Sequence, residues 1–209
     1  PYKPFIASHA YSEIGFVRSD DNTKIYYKLT KPPKTTTKTP IIVYVYGGPG
    51  VQKVKNEWSS MVVQLFAQNG FGVLELDNRG SSNRGRSFEQ PIYRSLGGVE
   101  IKDQLLGLDM LKEIDWADSE NVGIFGHSYG GYMTLMGLCQ STRFRAGVSV
   151  APVSDWRLYD THYTERYMGL PIENEEGYAK SNVTNQIHTL KSPLLLMHGM
   201  ADDNVLFTQ

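Results

Sequence analysis

The sequence lacks several features that mark specialised classes of protein. Cys139 is the single cysteine among 209 residues, so no disulfide can form within the chain. No apolar run approaches the roughly 20 residues of a membrane-spanning helix, and no signal-peptide pattern is present. The 21 basic and 22 acidic residues leave a net charge of −1, which argues against nucleic-acid or membrane-surface partners. None of this decides between a cytoplasmic, a periplasmic and a secreted protein.

Signatures of metals and cofactors are missing too. No histidine, cysteine or acidic cluster has the spacing of a zinc site. The glycines of residues 47–50 are not followed by the Lys-Ser/Thr pair of a phosphate-binding loop. We therefore expect a single globular domain, residues 1–209, that works without a cofactor. Because the chain begins with Pro1 rather than methionine, we expect this domain to be an incomplete piece of a longer protein.

What the chain does contain is an alternation of short apolar runs and helical patterns. Five runs predict strands covered on both faces, at residues 41–46, 71–76, 122–125, 146–150 and 194–197. Two patterns predict helices with one buried face, through Ile101, Leu105, Leu108, Leu111 and Ile114, and through Trp58, Met61, Val62, Leu65 and Phe66. A polar loop at residues 31–40 precedes the first of these strands. The order predicts an α/β fold, a mainly parallel sheet flanked by helices.

Each predicted strand is followed by an unusual loop, which places a ligand site at the carboxyl edge of the sheet. One of these loops is Gly126-His127-Ser128-Tyr129-Gly130, which stands between a strand and a helix. That is the context of a nucleophile elbow, a turn so tight that small residues must flank an exposed serine. The alternative interpretation of Ser128 is a helix N-cap in a glycine-rich turn.

A serine nucleophile needs hydrogen-bond donors for the oxyanion and an acid that follows it in the chain. The Tyr129 N–H is one expected donor, and the phenol of Tyr46, at the end of the first buried strand, is a second. Tyr46 is equally an aromatic residue that caps the sheet edge. Asp202 or Asp203, after the last strand, is the expected acid, and the alternative is an Asp-rich turn.

The histidine of the triad is the missing part. The fold places it after the acid, whereas all five histidines precede Asp202: His9, His127, His162, His188 and His198. The ring of His127 is expected to face away from Ser128, and His198 is expected to support the acid loop. We therefore expect the catalytic histidine beyond Gln209, and residues 1–209 alone to be inactive.

Aromatic residues concentrate after the fourth buried strand. Trp156, Tyr159, Tyr163 and Tyr167 are spaced by three, four and four residues, which predicts that all four lie on one face of one helix. Such a face is either a core stripe or a flat apolar pocket for a compact ring such as that of proline.

With these residues assembled, the chain resembles the catalytic α/β-hydrolase domain of the prolyl oligopeptidase family of serine peptidases, in its dipeptidyl peptidase IV branch. The resemblance runs from about residue 41 to the last residue. Its motifs are VYGGP from Val45, GHSYGGY from Gly126, APVSDW from Ala151, YTERYMGLP from Tyr163 and HGMADDNV from His198.

The resemblance implies that Ser128 is the nucleophile, Asp202 the acid, and Tyr46 with Tyr129 the oxyanion donors. It implies a proline pocket of Tyr129, Val153, Trp156, Tyr159, Tyr163 and Val205, with Asn204 binding a substrate carbonyl. The substrate would be a peptide that loses an N-terminal X-Pro or X-Ala dipeptide. The family's N-terminal β-propeller and its C-terminal histidine are not in this sequence, and relatives are often homodimers.

Two other functions remain open from the residues. One is a different acyl hydrolase on the same scaffold, such as an acylaminoacyl peptidase or an esterase, against which the aromatic slot argues. The other is a non-enzymatic relative that uses the fold as a binding module, although such relatives typically lose the serine that is present here as Ser128.

Overall fold

The computed structural model describes residue 6, residues 8–35 and residues 38–209. Pro1 and residues 36 and 37 of the polar loop lie outside this part of the chain. In the described residues a seven-stranded sheet runs in the order β1-β2-β4-β3-β5-β6-β7. The strands are β1 (Ser12–Arg18), β2 (Lys24–Thr30), β3 (Thr39–Val45), β4 (Gly72–Asp77), β5 (Ala117–His127), β6 (Phe144–Val150) and β7 (Leu194–Met197).

The sheet is mainly parallel, as the sequence predicts. Strands β4, β3, β5, β6 and β7 are mutually parallel, whereas β1 and β2 extend the sheet by antiparallel pairing. All five predicted core strands are present, although β5 begins at Ala117 rather than at residue 122. The loops after the five parallel strands consequently lie at one edge of the sheet.

Six α-helices lie in the described residues: α1 (Met61–Gln68), α2 (Arg86–Glu89), α3 (Val99–Met110), α4 (Tyr129–Gln140), α5 (Thr161–Met168) and α6 (Glu175–Ser181). Helix α4 is the most deeply buried of these helices, because every residue from Tyr129 to Cys139 is buried. Two of its glycines explain how it packs so closely. A Cβ at Gly130 would lie 2.3 Å from the Val45 carbonyl oxygen, and one at Gly131 would lie 2.7 Å from that of Val150.

The prediction of a buried helix face through Ile101 is confirmed, since Ile101, Leu108 and Leu111 are buried in the main core. The helix ends at Met110, and a 3-10 turn, Leu111–Glu113, continues it. Cys139 is a buried free thiol, as expected of a small apolar residue.

The predicted buried face through Trp58 is wrong. Helix α1 begins only at Met61, and it packs on the sheet through Val63 and Ala67. Met61 is 89% exposed, Trp58 66% and Leu65 60%. The helix is apolar on more than one side, so spacing alone could not tell which side faces the sheet.

The last predicted strand is present, but its burial was predicted wrongly. Leu195, Leu196 and Met197 are each about half exposed. Strand β7 pairs only with β6 and forms an edge of the described sheet, so its apolar run is not covered on both faces. None of the described helices is long and apolar enough to cross a bilayer.

Candidate active site

Ser128 occupies a strained turn between β5 and α4. Its backbone has φ 59° and ψ −120°, a conformation that non-glycine residues rarely adopt. The turn is held on both sides, because Ser128 N–H donates to the Val150 carbonyl at 2.9 Å and Tyr132 N–H donates to the Ser128 carbonyl at 3.0 Å. Ser128 stands at the N-cap position of α4, as the alternative interpretation has it, but its side chain makes no capping hydrogen bond with the described residues.

The two flanking glycines are required by contact rather than by flexibility. A Cβ at Gly126 would lie 2.2 Å from the Gly130 carbonyl oxygen, and neither residue has room for a side chain. Tyr129 is the first residue of α4, and the N–H groups of a first helical turn have no acceptor within the helix. The turn therefore places a partly exposed serine beside a backbone N–H that has no acceptor within its own helix.

Tyr46 directly follows β3, the strand beside β5, so the sheet brings it to the edge where Ser128 lies. It is half-buried, and its ring centroid lies 6.0 Å from that of Tyr129. Burial, with smaller contributions from Tyr159 and Tyr167, raises the pKa of the Tyr46 phenol. Because the ordinary pKa of a phenol is already near 10, this group is protonated at neutral pH and can donate a hydrogen bond.

The two candidate acids in the loop after β7 differ in their hydrogen bonds. Asp202 Oδ1 accepts hydrogen bonds from the N–H groups of Asn204 and Val205, both at 3.0 Å. These two bonds lower the pKa of Asp202, and the imidazoles of His198 and His127 contribute further. Asp203 is exposed, and no hydrogen bond from the described residues reaches it. Asp202 is thus the ordered carboxylate of this loop.

None of the five histidines donates to or accepts from Ser128 in the described part of the chain. His198 Nε2 lies 2.7 Å from the Val205 carbonyl and 3.8 Å from Asp202 Oδ2, so it braces the acid loop as predicted. His127 and His188 are exposed. His162 contacts Arg166 on α5. His9 packs against Trp58 beside α1, with ring centroids 4.7 Å apart.

The four aromatic residues form one cluster, but the prediction that one helix carries them is wrong. Trp156 begins a 3-10 turn, Trp156–Leu158, and Tyr159 follows it. Asp160 then caps a new helix, α5, by accepting from the Tyr163 N–H at 2.8 Å. The rings still meet, because Trp156 and Tyr163 are stacked at 6.0 Å and Tyr163 contacts Tyr167 at 5.0 Å.

The residues expected to form the proline pocket surround this cluster. Trp156 packs against Tyr129 with ring centroids 5.3 Å apart, and Tyr159 packs edge-on against Tyr163 at 5.5 Å. Val153 and Val205 are both buried in the same core cluster. Asn204 is joined to the group because the Tyr159 hydroxyl donates to its Oδ1 at 2.9 Å.

Two buried polar residues near the site were not anticipated. Asn78 donates to the Gly47 carbonyl at 2.9 Å, which holds the loop that follows Tyr46, and it accepts from Gln104 at 2.8 Å. Glu100, in the first turn of α3, accepts from the Tyr129 hydroxyl at 2.8 Å. The sequence did not predict these contacts, because Asn78 lies in a polar loop after β4 and Glu100 is an acidic residue in a first helical turn, where such residues are common.

Comparison with known proteins relates this chain to a family of peptidases. The sequence profile of the prolyl oligopeptidase family matches residues 57–209. Mouse dipeptidyl peptidase 8 is 42% identical over 205 residues, which is 93% of this chain but 23% of that protein.

Solved structures agree with the sequence comparison. A protein from Bacteroides ovatus that carries the name dipeptidyl aminopeptidase IV superposes with a TM-score of 0.94 at 39% identity, over 98% of this chain and 30% of its own. Porphyromonas gingivalis dipeptidyl peptidase 4 gives a TM-score of 0.90 at 34% identity, over 96% of this chain and 29% of its own. The chain thus spans about a quarter of the length of such relatives, and its α/β-hydrolase fold matches theirs. The elbow, the fold and the profile match together show that this chain belongs to the prolyl oligopeptidase family.

Proposed function

We propose that the full-length protein is a serine peptidase that removes N-terminal dipeptides with proline or alanine in the second position. The observation that carries the proposal is Ser128, held at φ 59° between two glycines that have no room for a side chain. A hydroxyl fixed in this way beside a cluster of aromatic rings suits acyl transfer from a residue with a compact ring.

In the acylation step, Ser128 Oγ adds to the carbonyl carbon of the second substrate residue. The tetrahedral intermediate then collapses, the C–N bond to the rest of the peptide breaks, and the amine leaves with the proton that the base took from Ser128. Water hydrolyses the remaining acyl-enzyme and releases the dipeptide. The negative charge that develops on the carbonyl oxygen is stabilised by the Tyr129 N–H and by the Tyr46 phenol. One such donor contributes about 3–4 kcal/mol to the transition state. Tyr46 suits this role because a phenol with an ordinary pKa near 10 carries its proton at neutral pH, and burial raises that pKa further.

The proton of Ser128 requires a base, and we assign it to a histidine that follows Gln209 in the full-length protein. Asp202 would orient that imidazole and stabilise its charged form. The hydrogen bonds from Asn204 and Val205 keep Asp202 ionised, which supports this role. Residues 1–209 alone would then bind substrate without turning it over.

Specificity would come from the aromatic cluster. Tyr129, Val153, Trp156, Tyr159, Tyr163 and Val205 would line the pocket for the proline or alanine side chain. Because Asn204 Oδ1 already accepts from Tyr159, its Nδ2 is left to donate to a substrate carbonyl.

The test uses the full-length protein with the chromogenic substrate Gly-Pro-p-nitroanilide and with its N-acetylated form. We expect rapid release of nitroaniline from the free amine, little from the acetylated substrate, and none from Ser128→Ala. Faster hydrolysis of a simple acyl ester than of the anilide would favour the acyl-hydrolase alternative. Retained activity in Ser128→Ala would defeat the proposal. Sedimentation of the same sample tests the homodimer that we also propose for the full-length protein.

A further inference from the structure

A buried carboxyl group lies beneath the elbow helix. Glu100 is 0% exposed, and its Oε1 accepts from the Tyr129 hydroxyl and from the Gly97 N–H, both at 2.8 Å. Its other oxygen, Oε2, has no partner among the described residues. Burying a carboxyl group is costly, and an apolar residue would fill this position without that cost. The contacts that Glu100 makes therefore need a reason other than packing.

The Tyr129 side chain is held by apolar contacts to its ring and by the hydrogen bond of its hydroxyl to Glu100. Its faces are covered by Trp156, Tyr132 and Gly48, where an added Cβ would lie 2.6 Å from Tyr129 Cγ. These apolar contacts confine the ring, but they are non-directional and do not by themselves set where the hydroxyl points. The hydrogen bond to Glu100 is directional, and it is the bond that the Tyr129 hydroxyl makes in the described part of the chain.

We propose that Glu100 is a positioning residue, which anchors the Tyr129 phenol and thereby fixes the wall of the pocket that distinguishes proline from alanine. The inference rests on the proposed function and extends it to a residue that does not touch substrate. Tyr129 connects Glu100 to the site, because its backbone follows the nucleophile and its ring faces the aromatic cluster.

The anchoring needs an acceptor oxygen rather than a negative charge. Burial raises the pKa of Glu100 to about 7, against the opposing effect of its bonds to Gly97 and Tyr129. A proton on the unpartnered Oε2 leaves the lone pairs of Oε1 available to both donors. Glutamine reproduces that neutral form with its amide oxygen, whereas methionine keeps the volume and removes the acceptor.

The experiment compares five variants of the full-length protein: Glu100→Gln, Glu100→Met, Tyr129→Phe, the double variant of the last two, and the control Glu113→Gln. Glu113 is exposed in the turn that follows the same helix. For each variant, kcat and KM are measured on Gly-Pro- and Gly-Ala-p-nitroanilide. We expect Glu100→Met and Tyr129→Phe to lower the proline-to-alanine ratio of kcat/KM about tenfold, mainly by raising KM for the proline substrate. Glu100→Gln and the control should stay within about twofold, and combining Glu100→Met with Tyr129→Phe should add no further loss.

An unchanged ratio in both Glu100→Met and Tyr129→Phe overturns the inference, and so does an equal loss in Glu100→Gln and Glu100→Met. If Glu100→Met fails to fold, Tyr129→Phe compared with Glu100→Gln decides in the same way. A wild-type protein that cleaves neither substrate refutes the proposed function instead. The anchoring is then measured by the rate at which phenylmethanesulfonyl fluoride, whose ring needs the same pocket, modifies Ser128. A tenfold lower rate in Tyr129→Phe with no change in Glu100→Gln supports it, and equal rates overturn it.

Discussion

Replacing Ser128 with glycine is expected to abolish activity and at the same time stabilise the peptidase domain. The backbone of Ser128 has φ 59° and ψ −120°. Glycine adopts this conformation without the steric conflict that a Cβ causes. Since the Ser128 hydroxyl forms no hydrogen bond with the described residues, its removal costs no folded-state bond.

The size of the effect follows from two opposing contributions. A non-glycine residue in such a conformation costs about 1–3 kcal/mol. Against this gain, glycine is more flexible in the unfolded state, so ordering it on folding costs about 0.5–1 kcal/mol more. The difference predicts that Ser128→Gly is about 1 kcal/mol more stable than wild type. Ser128→Ala keeps the Cβ and the strained backbone, so its stability should stay close to that of wild type.

Urea unfolding of the full-length wild type, Ser128→Gly and Ser128→Ala measures this difference. Ser87→Gly is the matched control, because Ser87 is exposed in α2 with an ordinary negative φ. There glycine should destabilise by about 0.5–1 kcal/mol. If Ser128→Gly proves less stable than Ser128→Ala, the turn is not strained and the reasoning fails.

Three further outcomes follow from the same site. Gly126→Ala should lose about 3 kcal/mol of stability in urea unfolding, because its Cβ would lie 2.2 Å from the Gly130 carbonyl oxygen. Asp202→Asn should lower kcat about 10⁴-fold on Gly-Pro-p-nitroanilide, whereas exposed Asp203→Asn should leave it within about twofold; equal losses would reject the assignment. The pKa of Glu100 rises from 4.5 to about 7 on folding, so wild type should lose about 3 kcal/mol relative to Glu100→Gln as the pH rises from 4.5 to 8. A difference between these two proteins that is constant with pH would contradict this.

The sign of the last prediction follows from proton counting. Below pH 4.5 the Glu100 carboxyl group is protonated in both states, and its ionisation contributes nothing. Between pH 4.5 and 7 the unfolded chain releases the proton while the folded protein keeps it, so the free energy of unfolding falls as the pH rises. Above pH 7 both states are ionised, and the loss stays constant.

The fold could be predicted because its strands are short apolar runs and its loops carry distinctive residues. Alternation of such runs with helical patterns suffices for a parallel sheet, and a parallel sheet puts all the loops after its strands at one edge. Ser128, Tyr46 and the Asp202 loop come to that edge for this reason. The residue types within each motif then predict their roles, as a nucleophile, a hydrogen-bond donor and an acid, without knowledge of their contacts.

The errors arose where the same spacing fits two arrangements. Met61 and Leu65 are one turn apart and apolar, yet Val63 and Ala67 pack on the sheet instead. The interval from Trp156 to Tyr167 suits one helix, but Asp160 begins a new one within it. The spacing of residues gives the relative directions of their side chains only where the helix is continuous. It contains no information on where that helix starts or which side meets the core.

The strain at Ser128 depends on more backbone than the five-residue motif contains. The Val45 carbonyl of β3 leaves no room for a side chain at Gly130, and the Val150 carbonyl of β6 leaves none at Gly131. The Val150 carbonyl also accepts a hydrogen bond from the Ser128 N–H. Neighbouring strands therefore close on the turn from both sides, and the conformation persists because leaving it would break these contacts. A third glycine at position 131 is required for the same steric reason as the two of the motif. A side chain at Gly131 would collide with the Val150 carbonyl and with Pro152, so it should displace β6 and the loop that leads to the aromatic pocket together with the elbow.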